Sequence, residues 1–215
     1  IAKRKEGAMG KLEIASVETV IKLPLILSKF NKNYQNVDLR LSTGVTAELR
    51  DKVLDYKLDG AFVTKSRLTS HPELIEMDVF EERLVLIADH REEDVRALLD
   101  RTLLSFSDGC GYRAKFREWL EAFNLEPTKN MELGTLETTL GSVISGLGIA
   151  FVPYSAVQHY EKNGLIYCHD LPAQFSEITT TFIYRAKETI SPALSAFVET
   201  IEAARHDAIS PFYRL

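Results

Sequence analysis

Residues 10–41 read GKLEIASVETVIKLPLILSKFNKNYQNVDLRL, and their pattern determines the predicted fold class. Apolar residues alternate with polar ones over 12–17 and again over 37–42, which predicts two β-strands. The apolar residues between these strands fall on one face of a helix: Leu23, Ile26, Leu27 and Phe30. A strand, a helix and a second strand in this order predict a parallel pair with a right-handed crossover.

The alternation of strands and helices continues along the rest of the chain. Thr46 is expected to cap the next helix, and a short buried strand follows at 60–63. The segments 74–80 and 83–88 are interpreted as two strands joined by a solvated acidic turn at 81–82. A second series comprises a charged helix at 92–99, strands at 103–106, 130–133 and 149–152, and helices at 112–123 and 135–145. The last predicted elements are a helix at 154–160, strands at 165–169 and 178–184, and a final helix capped by Ser191.

Two successive series of this kind predict an α/β fold with two Rossmann-like lobes. The final helix is expected to return to the first lobe, so that two segments, near 86–89 and 180–182, cross between the lobes. The predicted boundaries are lobe I at 11–87 and 183–205, lobe II at 88–182, linker or cloning-derived residues at 1–10, and a C-terminal tail at 206–215. The cleft between the lobes is the expected ligand site.

The composition excludes several classes of protein. The 215 residues carry a formal net charge of -5, which argues against a nucleic-acid-binding surface with its clustered lysine and arginine. No apolar run is long enough to cross a bilayer, so no membrane contact is expected, and no signal-peptide core follows the basic start. With two cysteines, Cys110 and Cys168, and no disulfide framework, a reducing cytoplasm is the expected compartment.

Ligands of parallel α/β sheets bind at the carboxyl ends of the strands. The loops after the first three predicted strands, at 16–19, 43–46 and 64–66, are rich in serine and threonine. The stretch SFSDGCGYRAKF at 105–116 places small residues at a helix start, where free backbone N–H groups can hold an anion or a polar ligand. Hydroxyl groups and free amides bind carboxylate, sulfate or phosphate without chemistry, although helix capping is an equally good role for a single threonine.

Cys110 has two alternative roles in this stretch. A thiol at a helix N-terminus with Arg113 close behind is expected to have a lowered pKa, so it could react or sense an oxidant. In the simpler alternative, Cys110 is a small residue that fills a tight turn.

The sequence offers little support for catalysis, a cofactor or a metal. Gly146-Leu147-Gly148 follows a helix and precedes a strand, the reverse of a dinucleotide-binding motif, so Gly146 is expected to end that helix. The five histidines lack the spacing of metal ligands. Glu18 and Asp108 are the weak candidates for an acid or base in the cleft of an enzyme. No catalytic residue, cofactor or metal is therefore predicted.

The stretch at 10–41 resembles the opening of the effector-binding domain of LysR-type transcriptional regulators. Three further motifs are similar: Leu58-Asp59-Gly60-Ala61-Phe62-Val63, Gly109-Cys110-Gly111-Tyr112-Arg113 and Gly146-Leu147-Gly148-Ile149-Ala150-Phe151-Val152-Pro153. The similarity extends from Gly10 to Ala204 and includes Ser191-Pro192-Ala193 before the last helix. It implies a fold like that of type 2 periplasmic binding proteins, and a cytoplasmic regulator that binds a small polar or anionic effector between its lobes.

The resemblance also implies which residues line the effector site. With the hydroxyl-rich loop after the first strand, the predicted set is Ser16, Val17, Thr19, Gly44, Val45, Thr64, Ser107, Gly109, Cys110, Gly111 and Thr135. Many members have Ser or Thr where this chain has Val17, so tight binding of a fully oxidised inorganic anion is not expected. Peroxide-sensing members carry their two cysteines where this chain has Gly111 and Leu120, so their disulfide switch does not transfer.

The family's assembly leads to further expectations. The resemblance implies a homodimer or tetramer in which the helix at 25–34 packs antiparallel against the helix at 112–123 of a second chain. DNA recognition would belong to a winged helix-turn-helix absent from this chain, which alone is not expected to bind DNA. Two alternatives use the same fold: an exported solute-binding protein of a transporter, and a small dehydratase-like enzyme.

Overall fold

The computed structural model of the protein describes residues 8–18, 20, 22–66, 69–186 and 189–207. Within these ranges the strands are β1 (Gly10–Ser16), β2 (Val37–Thr43), β3 (Gly60–Thr64), β4 (Leu74–Ala88), β5 (Thr102–Ser105), β6 (Lys129–Glu132), β7 (Ile149–Pro153), β8 (Tyr167–Asp170) and β9 (Glu177–Arg185). The helices are α1 (Leu23–Asn33), α2 (Thr46–Leu54), α3 (Gly111–Ala122), α4 (Leu136–Ile144), α5 (Tyr154–Lys162), α6 (Ala173–Ser176) and α7 (Pro192–Asp207), with a 3₁₀ helix at Val95–Asp100. The predicted linker at 1–10 and tail at 206–215 lie largely outside the described residues.

The strands follow the order β2-β1-β3-β9-β4-β7-β5-β6, and β8 also pairs with β4. β1 is parallel to β2 and β3, and β5 is parallel to β6 and β7. β9 is antiparallel to β3 and β4, and β7 is antiparallel to β4. The parallel pair β1–β2 confirms the strand–helix–strand prediction for residues 10–41. Because β3 is also parallel to β1, the carboxyl ends of β1, β2 and β3 lie at one edge of the sheet.

The predicted pair of strands over 74–88 is wrong, because β4 is one continuous strand of 15 residues. Glu81 and Glu82 do not form a turn: they continue the antiparallel ladder with β9, where Glu82 lies opposite Ile178. The register shifts once, between Asp78 and Phe80. Polar residues occur in mid-strand because β4 leaves one hydrophobic core here before it enters another, and sequence patterns cannot separate this from a turn.

β4 and β9 connect two separate hydrophobic cores. In the first core, Phe62 packs against Phe182 with ring centroids 4.8 Å apart, and Phe197 of α7 contacts both rings. In the second core, the rings of Phe116 on α3 and Phe151 on β7 have centroids 5.0 Å apart. The fold is therefore α/β with two lobes joined by two crossing strands, as predicted.

The crossing in β4 occurs earlier than the sequence suggested. β4 leaves the first core after Phe80 and enters the second at Leu84, whereas the prediction placed the crossing at 86–89. β9 passes from the second core at Ile178 to the first core at Phe182. Below, lobe I denotes the elements around the first core, and lobe II those around the second.

The helix ends follow their sequence signals with one exception. Ser191 Oγ accepts a backbone N–H of α7 at 3.1 Å, and Gly146 ends α4 with a φ of 78°. Thr46 is the exception: it is the first residue of α2, and its Oγ1 accepts the N–H of Thr64 at 3.3 Å. The N-cap residue of α2 is instead Val45, whose apolar side chain cannot cap the helix.

Candidate functional site

A cavity of about 300 Å³ lies between the two lobes. Lobe I lines it with Val17, Glu18, Thr43, Gly44, Val45, Glu48 and Thr64. Lobe II lines it with Phe106, Ser107, Cys110, Gly111, Tyr112 and Gly134. Most of the predicted site residues therefore meet in one place: Val17, Gly44, Val45, Thr64, Ser107, Cys110 and Gly111.

Ser16, Gly109 and Thr135 do not line this cavity. Ser16 is buried behind it and donates a hydrogen bond from Oγ to the carbonyl of Val17 at 2.8 Å. Gly109 faces an adjoining space, and Thr19 lies outside the described residues. Thr135 caps α4, since its Oγ1 accepts the N–H of Thr138 at 3.2 Å.

The lobe I wall consists of backbone turns that are bonded to one another. The N–H of Val17 donates to a carbonyl of β3 at 3.0 Å, and the N–H of Gly44 donates to the carbonyl of Ser16 at 3.3 Å. A β-carbon on Gly44 would lie 2.8 Å from Leu49 Cδ2, so a larger residue there would require the Leu49 side chain to shift. These contacts place the uncapped start of α2, at Val45, against the cavity, where its N–H groups can bond to a ligand.

The lobe II wall is the tight turn between β5 and α3. The N–H of Cys110 donates to the carbonyl of Ser107 at 3.2 Å. Gly109 has a φ of 88°, a conformation that favours glycine. Cys110 is the N-cap residue of α3 and makes no side-chain cap. The predicted tight turn is present, and the backbone N–H groups of Tyr112 and Arg113 at the start of α3 interact with the Cys110 thiol.

The two walls touch at two glycines of lobe II. A β-carbon on Gly109 would lie 3.1 Å from Val45 Cγ2, and one on Gly111 would lie 2.4 Å from Thr64 Cβ. A side chain at Gly111 would therefore collide with lobe I, and one at Gly109 would crowd it. Glycine at both positions permits this close approach of the lobes.

The expected lowering of the Cys110 pKa is wrong, because the pKa of this thiol is raised. Burial is the largest cause, since it disfavours the charged thiolate. The backbone N–H groups of Arg113 and Tyr112 and the Arg113 guanidinium oppose this effect, while the Glu18 carboxylate adds to it. Arg113 is engaged elsewhere, with Glu132 Oε2 at 3.0 Å. The simpler role of Cys110, a small residue in a tight turn, agrees with this geometry.

Sequence reasoning missed one charged residue of the cavity, Glu48. Its Oε1 pairs with Lys52 Nζ at 2.6 Å, and its Oε2 lies 3.3 Å from the position of a β-carbon on Gly44. Glu48 follows Val45 by three residues in α2, so both lie on the same side of the helix start. Helical spacing was the signal that could have identified it.

Two aromatic residues of the cavity wall were also missed. Phe106 and Tyr112 are buried, and their ring centroids are 6.2 Å apart in a T-shaped arrangement. Both fit an apolar core pattern, and no periodicity distinguishes a core ring from one that borders a cavity.

A larger space of about 800 Å³ adjoins the cavity and shares Thr64, Cys110 and Gly111 with it. The lysines and arginines of this region line the larger space: Lys65, Arg113, Lys115 and Arg117. Each pairs with a carboxylate at 2.7–3.8 Å. None of these cations lines the 300 Å³ cavity.

The described ranges contain no cluster of three or more His, Cys, Asp or Glu residues placed to hold a metal ion. None of the helices in this part of the chain has the length and apolar character of a membrane-spanning segment.

Two α/β lobes, two crossing strands and a cavity between the lobes define a two-lobed ligand-binding domain. Residues 5–205 match the model of the LysR substrate binding domain family. The chain belongs to this family, whose effector-binding domains have the type 2 periplasmic-binding-like fold.

Known proteins agree with this assignment. The HTH-type transcriptional regulator SoxR of Arthrobacter sp. (strain TE1826) is 48% identical over 203 residues, which are 94% of this chain and 70% of that protein. The effector binding domain of QuiR in complex with shikimate has a TM-score of 0.78 at 17% identity, and covers 93% of this chain and 99% of that one. The Synechocystis PCC6803 CcmR regulatory domain in complex with 2-PG has a TM-score of 0.80 at 17% identity, over 92% and 98% of the two chains. This chain is the effector-binding domain of a LysR-type regulator, and the alternative of an exported solute-binding protein is not favoured.

Proposed function

We propose that the 300 Å³ cavity is the effector site, and that it binds a small polar metabolite with a carboxylate group. The observation that carries this proposal is the convergence of two uncapped helix starts, at Val45 and Cys110, on one cavity. Backbone N–H groups at a helix start favour negative charge. The hydroxyl groups of Thr64 and Ser107 offer further hydrogen bonds.

Two structural neighbours support a small-molecule ligand of this kind. The QuiR domain binds shikimate and the CcmR domain binds 2-PG. The predicted residues that line the cavity (Val17, Gly44, Val45, Thr64, Ser107, Cys110 and Gly111) are our proposed effector contacts. Thr19 remains a proposed contact from the sequence alone.

Signal transmission would use the contact between the lobes. An effector shifts a two-state equilibrium only by its differential affinity for the two states. Because lobe II touches lobe I at Gly109 and Gly111, a ligand between the walls changes how closely the lobes approach. The changed lobe angle would then alter the arrangement of subunits.

For the assembly we propose a homodimer through the helix at 25–34 of one chain and the helix at 112–123 of the other. Leu25 supports this role because its side chain is 50% exposed on α1. Phe116 and Trp119 of α3 are buried within lobe II, so the polar outer face of α3 would make the contact. The cytoplasm is the proposed compartment, and no catalysis is proposed, since the relatives are transcriptional regulators. DNA contact is assigned to another domain, in line with the net charge of -5.

The experiment is a thermal-shift screen of polar metabolites, followed by titration calorimetry of each hit. Ser107→Phe fills the cavity and should abolish the stabilisation. Ser145→Phe is the matched control, because Ser145 is exposed and does not line the cavity, and it should retain the response. A hit that is unaffected by Ser107→Phe would place the effector site elsewhere.

A further inference from the structure

The effector cavity has a distinctive set of charges. Among the described residues, its only charged lining side chains are two carboxylates, Glu18 and Glu48, both from lobe I. No lysine or arginine of the described ranges lines it, although four of these cations line the adjoining space. A cavity that bound a simple anion would gain from a cation in its wall. The charged side chains described in this wall are instead two carboxylates, of which Glu48 is also paired with Lys52 outside the cavity.

Glu18 is the first of the two carboxylates that line the cavity. It lies two residues after the end of β1, its side chain is exposed, and no ion pair is found between it and another described residue. Its carboxylate acts across the cleft, since it is one of the charges that raise the pKa of the Cys110 thiol. Glu18 of lobe I therefore faces the start of α3 in lobe II, with a negative charge that a ligand could neutralise.

Glu48 supplies the second carboxylate, one turn into α2. One of its oxygens, Oε1, pairs with Lys52 at 2.6 Å. The other, Oε2, lies over the Gly44 backbone, 3.3 Å from the position of a β-carbon there. Glu48 lines the cavity and Lys52 does not, so the carboxylate is the part of this ion pair that borders the ligand space.

Partial positive charge is also present in this cavity, and it comes from backbone N–H groups rather than from side chains. The starts of α2, at Val45, and α3, at Cys110, have no side-chain caps and line the cavity wall. Both helices exceed two turns, so their N–H groups present partial positive charge to a ligand carboxylate. The cavity thus combines acceptors for an ammonium group with donors for a carboxylate.

We infer that the effector is a small zwitterion of the α-amino acid class, with its ammonium group between Glu18 and Glu48 and its carboxylate at the starts of α2 and α3. This inference rests on the proposed function of the cavity. The cavity volume of about 300 Å³ equals that of roughly ten water molecules, which is enough for a small amino acid. Phosphorylated and dicarboxylate ligands are disfavoured, because each further negative charge would meet a carboxylate in a partly desolvated site.

The test uses the twenty standard L-amino acids as probes. Each amino acid that raises the melting temperature is compared with the carboxylic acid that lacks its amino group and the amine that lacks its carboxylate. The zwitterion should bind, and either truncated analogue should bind at least about fivefold more weakly. Glu18→Gln should weaken the zwitterion by a similar factor. Glu137→Gln should leave binding unchanged, because Glu137 is exposed on α4 and does not line the cavity.

The outcomes separate this inference from the proposed function. If the acid without an amino group binds as tightly as its amino acid, or if Glu18→Gln strengthens binding, the zwitterion assignment is wrong. If such an acid still loses its binding in Ser107→Phe, the cavity remains the effector site. If none of the twenty amino acids raises the melting temperature, the inference is wrong. The metabolite screen then decides the proposed function.

Discussion

Gly111 at the start of α3 and Thr64 at the end of β3 are in direct contact, with room for no more than a hydrogen on Gly111. A β-carbon at position 111 would lie 2.4 Å from Thr64 Cβ and 2.7 Å from Thr64 Oγ1. Both atoms are close to the main chain of β3, so they cannot move aside as a flexible side-chain end could. The residue at position 111 therefore sets how closely the two lobes approach.

Gly111→Ala should destabilise the closed arrangement by about 1–3 kcal/mol, the usual cost of overpacking. This result would oppose helix propensity, which favours alanine over glycine in α3 by about 1 kcal/mol. Chemical denaturation measures the free energy of unfolding, and small-angle X-ray scattering should show an increased radius of gyration.

The matched control is Gly141→Ala in α4, where a β-carbon meets nothing within 4 Å. This change should be neutral or stabilise the protein by up to about 1 kcal/mol. Equal effects of the two substitutions would mean that the lobes are not in contact at Gly111 in solution.

Leu25→Glu should shift the protein from dimer to monomer, because it places a charge on the exposed apolar position of α1 that we assign to the subunit interface. Sedimentation velocity at several protein concentrations measures the change. Leu147→Glu is the control, since Leu147 is 46% exposed and lies on neither α1 nor α3. A dimer of unchanged strength in Leu25→Glu would refute the assignment of α1.

Glu82 should make stability depend on pH, because burial raises the pKa of its carboxyl group. Ser155 Oγ donates to both carboxylate oxygens, at 2.9 and 3.0 Å, and the charge of Lys22 also opposes the increase. A raised pKa means that the folded state binds the proton more tightly than the unfolded state does. The contribution of Glu82 to stability therefore falls as the pH rises from about 4.5 through the folded-state pKa.

Glu82→Gln should remove this part of the pH dependence. The free energy of unfolding of the variant, relative to that of the original protein, should therefore increase from acidic to neutral pH. The glutamine oxygen can still accept the Ser155 hydrogen bond, which keeps the comparison close. Glu81→Gln is the adjacent control, because Glu81 is exposed. A stability difference for Glu82→Gln that is constant between pH 4 and 8 would contradict the prediction.

Cys110 should be a slow thiol, because its burial raises its pKa above the ordinary value of about 9. The rate of alkylation by iodoacetamide at pH 7.5 is measured in Cys168→Ser, which leaves Cys110 as the single cysteine. The rate should be lower than that of N-acetylcysteine and should rise as the pH approaches 10. Faster alkylation than the free thiol would restore the redox role considered from the sequence.

Different parts of the fold were predictable to different degrees. Residues 10–41 predicted β1, α1 and β2 correctly because their apolar periodicity is local. The interruption at Glu81 and Glu82 was misinterpreted because a strand that crosses between two cores carries polar residues where it is in neither core. Thr46 was assigned as a cap because its sequence position allows it, but its hydroxyl bonds across to β3.

The candidate site was also predictable only in part. Loop composition and the family resemblance identified seven of the residues that surround the cavity, from Val17 on one wall to Gly111 on the other. The charge of the cavity was not predicted, because Glu48 was assigned no role in the site and Glu18 was considered only as an enzyme acid. The pKa of Cys110 was predicted in the wrong direction because helix position is a property of sequence, whereas burial is not.

By itself, the sequence determined the two-lobed α/β class, the order of most of its elements and the loops from which a ligand site could be built. These features depend on periodicity and on the backbone freedom of particular residues, which act over a few positions in the chain. Only the tertiary structure decided the contact between Gly111 and Thr64, the continuity of β4, and the position of two carboxylates in the cavity wall, where the described residues place no cation. Those features arise when segments far apart in the chain pack together, because desolvation and charge then depend on neighbours that no local pattern specifies.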